Sequence, residues 1–261
     1  MNPQTITIDS LSTFISIIKT NDKIWYRGQS KEDNKLWPSL FRHPQKSNSP
    51  QEVFEREKQI LAKFKQRSIP YLQNRIDNNF EYLFLMQHYG IPTRLLDWTE
   101  NPFVALYFAL CTSVYKDDCN AAFYSIFPSE WNKLLLSEIG QSDKIYDISD
   151  ELIIKGYAIA PPSFDFVRPY PIAINGNYNN QRIVAQRGAF IIFGKEIKSM
   201  DEIFDEKFNG NQVLKKYIIL KENKKQLFDD LINIGITDAV IFPDMEGLGK
   251  EIKRTFGYEV K

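Results

Sequence analysis

One stretch limits what this chain can become: QHYGIPTRLLDWTENPFVALYFA, from Gln87 to Ala109. Glu81 to Tyr89 (EYLFLMQHY) is apolar enough to form a mostly buried helix. Gly90 suits the left-handed residue that ends such a helix. Pro92 forbids continuation and pushes Ile91 toward extended geometry. Thr93 to Thr99 is then an apolar segment with one cation, Arg94, and one anion, Asp97. Asn101 followed by Pro102 fits an N-cap and a first helical residue, and Phe103 to Leu110 opens a second buried helix. A short charged segment is therefore clamped between two buried helices, where charges have to be paired or used.

The 261 residues around this stretch suit one large domain or two small ones, and 43% hydrophobic residues are enough for a sizeable core. Lysine plus arginine equals aspartate plus glutamate, 33 each. That balance argues against a binder relying on bulk attraction to phosphate backbones, so nucleic acid is not an expected partner. Lys215-Lys216 and Lys224-Lys225 read as solvated surface. Cys111 and Cys119 are too few for a disulfide framework. The start, MNPQTITIDS, carries neither a basic flank nor a long apolar run, and no segment approaches a membrane span. A cytoplasmic location without membrane attachment is the expectation, and the Lys-, Asn- and Ile-rich character looks bacterial.

The pattern elsewhere predicts a helix from Asp9 or Ser10 to about Lys19 and a strand over Ile24 to Arg27. A helix starting near Pro50 buries Phe54, Ile60, Leu61 and Phe64 and turns Glu55, Glu57, Lys58 and Lys63 outward. Strands follow at Ala121 to Phe127, Ile172 to Ile174, Gly188 to Phe193 and Val213 to Leu220, with helices at Pro128 to Leu136, Met200 to Phe208, Asn223 to Ile234 and Pro243 to Thr255. Helices dominate the first half and isolated strands punctuate the second, so the class is α+β, read as one domain over 1–261.

Three polar clusters sit in apolar surroundings. Arg27, at a strand end before Gly28 and Gln29, presents a guanidinium suited to phosphate or carboxylate, or else pairs with a core aspartate such as Asp97. In Thr93 to Thr99, hydroxyls and a carboxylate line a cleft floor, or Arg94 and Asp97 form a buried pair. Asn180-Gln181-Arg182 precedes Gln186-Arg187-Gly188, and Arg182 and Gln186, four apart, share a helix face. Two histidines, His43 and His88, without HExxH or CxxC spacing, do not suggest a zinc site, so no metal is expected. No P-loop, GxGxxG or GxSxG is present.

These clusters resemble the FRG domain family, named for a Phe-Arg-Gly motif that stands here as Tyr26-Arg27-Gly28. The resemblance extends through LWPSLFR (Leu36 to Arg42), the Gln87 to Ala109 stretch, the R-x-x-x-Q-x-G-x-F pattern from Arg182 to Phe190, and FPDMEGL (Phe242 to Leu248). The order of marks is also similar to ADP-ribosyltransferases of the arginine–serine–glutamate kind. That similarity implies a split β-sheet core flanked by helices, NAD as ligand, and ADP-ribosyl transfer to a macromolecular acceptor or NAD hydrolysis, in a toxin or phage-defence setting. By that resemblance Arg27, Thr99, Gln186 and Asp97 are the catalytic set. Arg27, Gly28, Gln29, Thr93, Arg94, Trp98, Tyr107 and Arg182 bind the nucleotide, and Trp25, Trp98 and Tyr107 wall the nicotinamide. Gln186 stands where those enzymes carry glutamate, so either the stabilising charge falls to Asp97, with Glu81 or Asp165 behind it, or the fold binds nucleotide without efficient catalysis. The alternative is a non-catalytic ligand- or partner-binding module whose polar cluster holds the core.

Overall fold

The structure, a computed structural model, describes residues 6–18, 24–45, 49–72, 75–112, 119–137, 144–159, 161, 163–176, 181–208, 211–258 and 260. Its strands are β1 (Ile6–Ile8), β2 (Trp25–Gln29), β3 (Leu95–Thr99), β4 (Ala121–Ile126), β5 (Ile172–Ile174), β6 (Gly188–Ile192) and β7 (Leu214–Ile219). The first five helices are α1 (Leu11–Ile17), α2 (Pro50–Ser68), α3 (Asn79–His88), α4 (Pro102–Leu110) and α5 (Pro128–Leu135). The rest are α6 (Glu151–Gly156), α7 (Gln181–Gln186), α8 (Met200–Lys207), α9 (Lys224–Asn233), α10 (Asp238–Ile241) and α11 (Met245–Thr255). Local chemistry places their ends. Asn78 and Asn101 accept from the main-chain N–H of Phe80 and Phe103, and Pro102 starts α4. Gly90 adopts φ +69° at the close of α3, the left-handed geometry that its position asks for. Asn180 lies outside the described residues.

The strands form one mixed sheet in the order β1-β7-β4-β2-β3-β6-β5. Only β1 and β7 run parallel; every other neighbouring pair is antiparallel. The class is α+β, as the pattern predicts. One face of the sheet carries two separate apolar layers. The first joins Tyr26, Phe123 and Tyr217 to α1, α4 and α9. The second joins Leu95, Phe190 and Ile192 to α2, α3 and α6. The opposite face is continuous, with Trp25, Trp98, Ala122 and Ile191 packed against Met200 and Ile203 of α8.

Between the two layers the sheet opens. β3 pairs with β6 along its whole length, from Leu95–Ile192 to Thr99–Gly188, whereas β2 and β3 share one paired position, Tyr26 opposite Thr99. Side chains alternate along a strand. Tyr26 and Gly28 therefore face α4, while Trp25, Arg27 and Gln29 leave β2 on the other side.

Gly28 explains how closely α4 approaches. A Cβ built there would lie 1.9 Å from the Ala105 carbonyl oxygen and 2.5 Å from the Ala109 nitrogen, both main-chain atoms. The helix backbone rests on the strand backbone, and any side chain would force them apart. Gly28→Ala is expected to destabilise the protein by about 3 kcal/mol or more, the scale of a core overpacked against an unyielding neighbour. Chemical denaturation with a circular-dichroism readout measures it.

Candidate functional site

A cleft of about 460 Å³ opens where β2 and β3 part. Arg27 crosses this gap. Its Nη1 donates to the main-chain carbonyl of Asp97, and its Nε is buried with no hydrogen-bond partner. The cation meets Asp97 through the backbone, so the carboxylate is not consumed by a direct hydrogen bond from Arg27. Burial lowers the proton affinity of Arg27, Asp97 raises it, and the nearby Arg42 lowers it again.

Asp97 sits opposite Phe190 on β3 with its side chain in the cleft. Gln87, in the last turn of α3, donates from Nε2 to Asp97 Oδ2 at 2.6 Å. The Thr93 hydroxyl donates to Gln87 Oε1 at 2.5 Å and accepts from the Leu95 N–H at 3.0 Å. This chain of bonds sets which way the Gln87 amide faces and aims the carboxylate. Asp97 is open to the cleft, and desolvation by the cleft walls raises its pKa above the usual aspartate value. Arg27, the Gln87 bond and Arg182 pull it back down by smaller amounts.

Arg182 and Gln186, on α7, both line the cleft. The Arg182 guanidinium lies over the Phe242 ring, 4.4 Å from its centre. Gln186 is held by its own side chain: Nε2 donates to the Ile241 carbonyl of α10 at 3.1 Å. Its carbonyl accepts from the Thr99 hydroxyl at 2.6 Å, and that hydroxyl also accepts from the Asn101 N–H. Thr99 and Gln186 thus tie the end of β3 to α7. His88, next to Gln87, also lines the cleft, and burial together with Arg182 lowers its pKa.

Four residues expected at the nucleotide lie elsewhere or turn away, each for a physical reason. Arg94 is fully buried and pairs with Glu57, not with Asp97: Nε donates to Glu57 Oε2 at 2.8 Å. Its Nη1 and Nη2 donate to the carbonyls of Phe193 and Tyr157 at 2.7 and 3.0 Å, and the guanidinium lies over Phe54. Glu57, expected on the outer face of α2, is turned inward to meet it. Thr93 is buried behind Gln87. Tyr107 is buried under α10, its hydroxyl donating to Asp238 at 2.6 Å. Trp98 borders the cleft, but its ring belongs to the opposite core together with Trp25. The aromatic walls are instead Phe84, Phe108, Phe190 and Trp37. Neither Glu81 nor Asp165 lines the cleft, which leaves Asp97 as the carboxylate that does. Gln87, Arg42 and Trp37 are further lining residues. QHYG and LWPSLFR contain them, but only the folded arrangement shows what they face.

A mixed sheet split at its centre, with an arginine and a carboxylate both lining the opening, defines an α+β protein built around a cleft. Residues 22–118 match the FRG domain model. The matched segment supplies β2, α2, α3, β3 and α4. Its aromatic-Arg-Gly signature has three separate physical duties here: Tyr26 packs under α4, Arg27 enters the cleft, and Gly28 admits the helix. No curated protein and no solved structure matches the chain. Among the described residues no helix is long and apolar enough to cross a membrane.

Arg94→Met is expected to cost about 3–5 kcal/mol by leaving Glu57 charged and buried without its partner, and the double variant with Glu57→Leu to recover most of that loss. Equilibrium unfolding of the three proteins checks it; equal losses in the single and double variants would show that packing dominates.

Proposed function

We propose that the cleft binds NAD or a closely related nucleotide and that the protein cleaves the nicotinamide–ribose bond, passing ADP-ribose to water or to a macromolecular acceptor. The observation that carries this reading is the Arg27 guanidinium bonded to the Asp97 main-chain carbonyl at the sheet split, with the Asp97 carboxylate lining the same cleft. The ligand chemistry fits. Arg27 gives one hydrogen bond among the described residues, to the Asp97 carbonyl, so the rest of its fork suits phosphate oxygens. Phe84, Phe108, Phe190 and Trp37 offer flat apolar walls for ring systems.

In the reaction the bond between ribose C1′ and the nicotinamide nitrogen breaks, and its electron pair leaves with the ring, which becomes neutral. Positive charge develops on the ribose. A carboxylate held in place beforehand stabilises that charge without reorganising. Asp97, aimed by Gln87 and Thr93, has that role. Water then attacks C1′, yielding ADP-ribose and one proton; an acceptor nucleophile gives the transfer product instead. Gln186 is held by Ile241 and serves to position the wall. An effector that consumes NAD or transfers its ADP-ribose would suit a bacterial toxin or a defence against phage.

The test combines thermal stability with free nicotinamide measured in the same samples. A ligand at 100 times its Kd adds about 2.7 kcal/mol to the folded state, so NAD is expected to raise the Tm of the unaltered protein. Arg27→Ala is expected to melt cooperatively and lose that shift. Asp97→Asn is expected to keep the shift and release nicotinamide about 100-fold or more slowly. Acidification is expected to suppress release at a pH above the usual aspartate range, because the Asp97 pKa is raised. A raised pKa means the folded state holds the proton more tightly. This group therefore favours folding most below its unfolded pKa, and loses that effect as pH rises through the folded value. Asp97→Asn should accordingly be no less stable than the parent at neutral pH. Absence of any NAD-induced shift at millimolar ligand would overturn the reading.

A further inference from the structure

Gln29 ends β2 and is only 5% exposed, yet neither its carboxamide nitrogen nor its oxygen has a hydrogen-bond partner. A buried amide left unpaired is destabilising, and native structures keep few of them. Gln29 lies on the same side of β2 as Arg27, two residues earlier, and both border the cleft. Arg42 borders it as well. Its Nε and Nη2 donate to the Trp37 carbonyl at 3.2 and 3.0 Å, and Nη2 also reaches the Lys35 carbonyl at 2.9 Å. These bonds fix the guanidinium plane, and among the described residues none takes Nη1. Trp37 adds a buried indole N–H, also without a partner. The cleft lining sets Arg27, Arg42 and Arg182 against Asp97 as its single carboxylate.

We propose that Arg42, Arg27 and Gln29 form a subsite for the diphosphate of a sugar nucleotide. The donors gathered here exceed what one carboxylate can accept, whereas a diphosphate offers several non-bridging oxygens. Gln29 Oε1 needs a donor in return, and a hydroxyl of the adjoining sugar supplies one. The proposal rests on the nucleotide reading and assigns the two ends of the cleft: diphosphate toward Arg42, and the reacting sugar carbon toward Asp97.

Titration calorimetry with inorganic pyrophosphate, ADP-ribose and NAD, on the parent protein, Gln29→Leu and Arg42→Lys, tests it. Arg42→Lys keeps the charge and removes the fork, so it is a milder change than alanine. Both variants are expected to bind pyrophosphate and ADP-ribose about 10- to 100-fold more weakly, the range of one or two lost charge-assisted bonds. Without ligand, Gln29→Leu is expected to melt at or above the parent temperature, because it removes an unpaired buried amide. A lower melting temperature with unchanged pyrophosphate affinity would make Gln29 structural and overturn the subsite. Inorganic sulfate binding as tightly as pyrophosphate would overturn the diphosphate assignment. If NAD and ADP-ribose bind equally well to all three proteins, the subsite falls and the nucleotide reading stands. If pyrophosphate binds in the expected order while NAD and ADP-ribose do not bind, the subsite stands and that reading falls. Binding of none of the three removes both.

Discussion

The centre of the sheet hangs on one bridging pair, Tyr26 opposite Thr99. On either side of it the ladders are long, and each half-sheet carries its own helical layer. Because the two strands part, main-chain polar groups that a continuous ladder would pair face an opening. The Asp97 carbonyl is one of them, and the Arg27 side chain satisfies it. The same divergence gives the Asp97 carboxylate access to the cleft. Opening and chemistry therefore have one cause. The continuous core on the far face, built on Trp25, Trp98 and Ile191, keeps the two halves in register.

Two arginines near this centre show how context divides one residue type into two roles. Arg94 has an ion-pair partner, two carbonyls and an aromatic ring, and it is sealed from solvent. It links α2 to the strand ends and to the segment after α6. Arg27 has one carbonyl and a neighbouring cation, with a carboxylate held nearby by other groups. The first arrangement resembles a buried structural ion pair, whose removal on one side is costly. The second leaves donors over, which is what a binding site requires.

Much of the fold can be read from the sequence because its signals are local. Asn101-Pro102 and Gly90 mark helix ends through their own backbone chemistry, and the strands at Ala121 and Gly188 announce themselves as apolar runs. Arg27 and Asp97 attract attention because each is a charge within apolar residues. Glu57 defeats this logic. It lies among Glu55 and Lys58 on an amphipathic helix and reads as surface, and only Arg94, 37 positions away, turns it inward. Gln87 is similar: its importance depends on Thr93 and Asp97 reaching it from opposite sides, which no spacing rule encodes. Tyr107 and Trp98 sit beside the cleft in sequence, but alternation and helix phase direct their rings elsewhere.

The FRG match ends at residue 118, but the sheet does not. Within 22–118, β2 and β3 have only each other, joined at one position. β4 on one side and β6 on the other come from later in the chain. A fragment cut to the matched residues would present two exposed strand edges to any passing chain. The matched segment is therefore smaller than the sheet it belongs to. The region after residue 118 supplies the two flanking strands that cover those edges, each antiparallel to its neighbour.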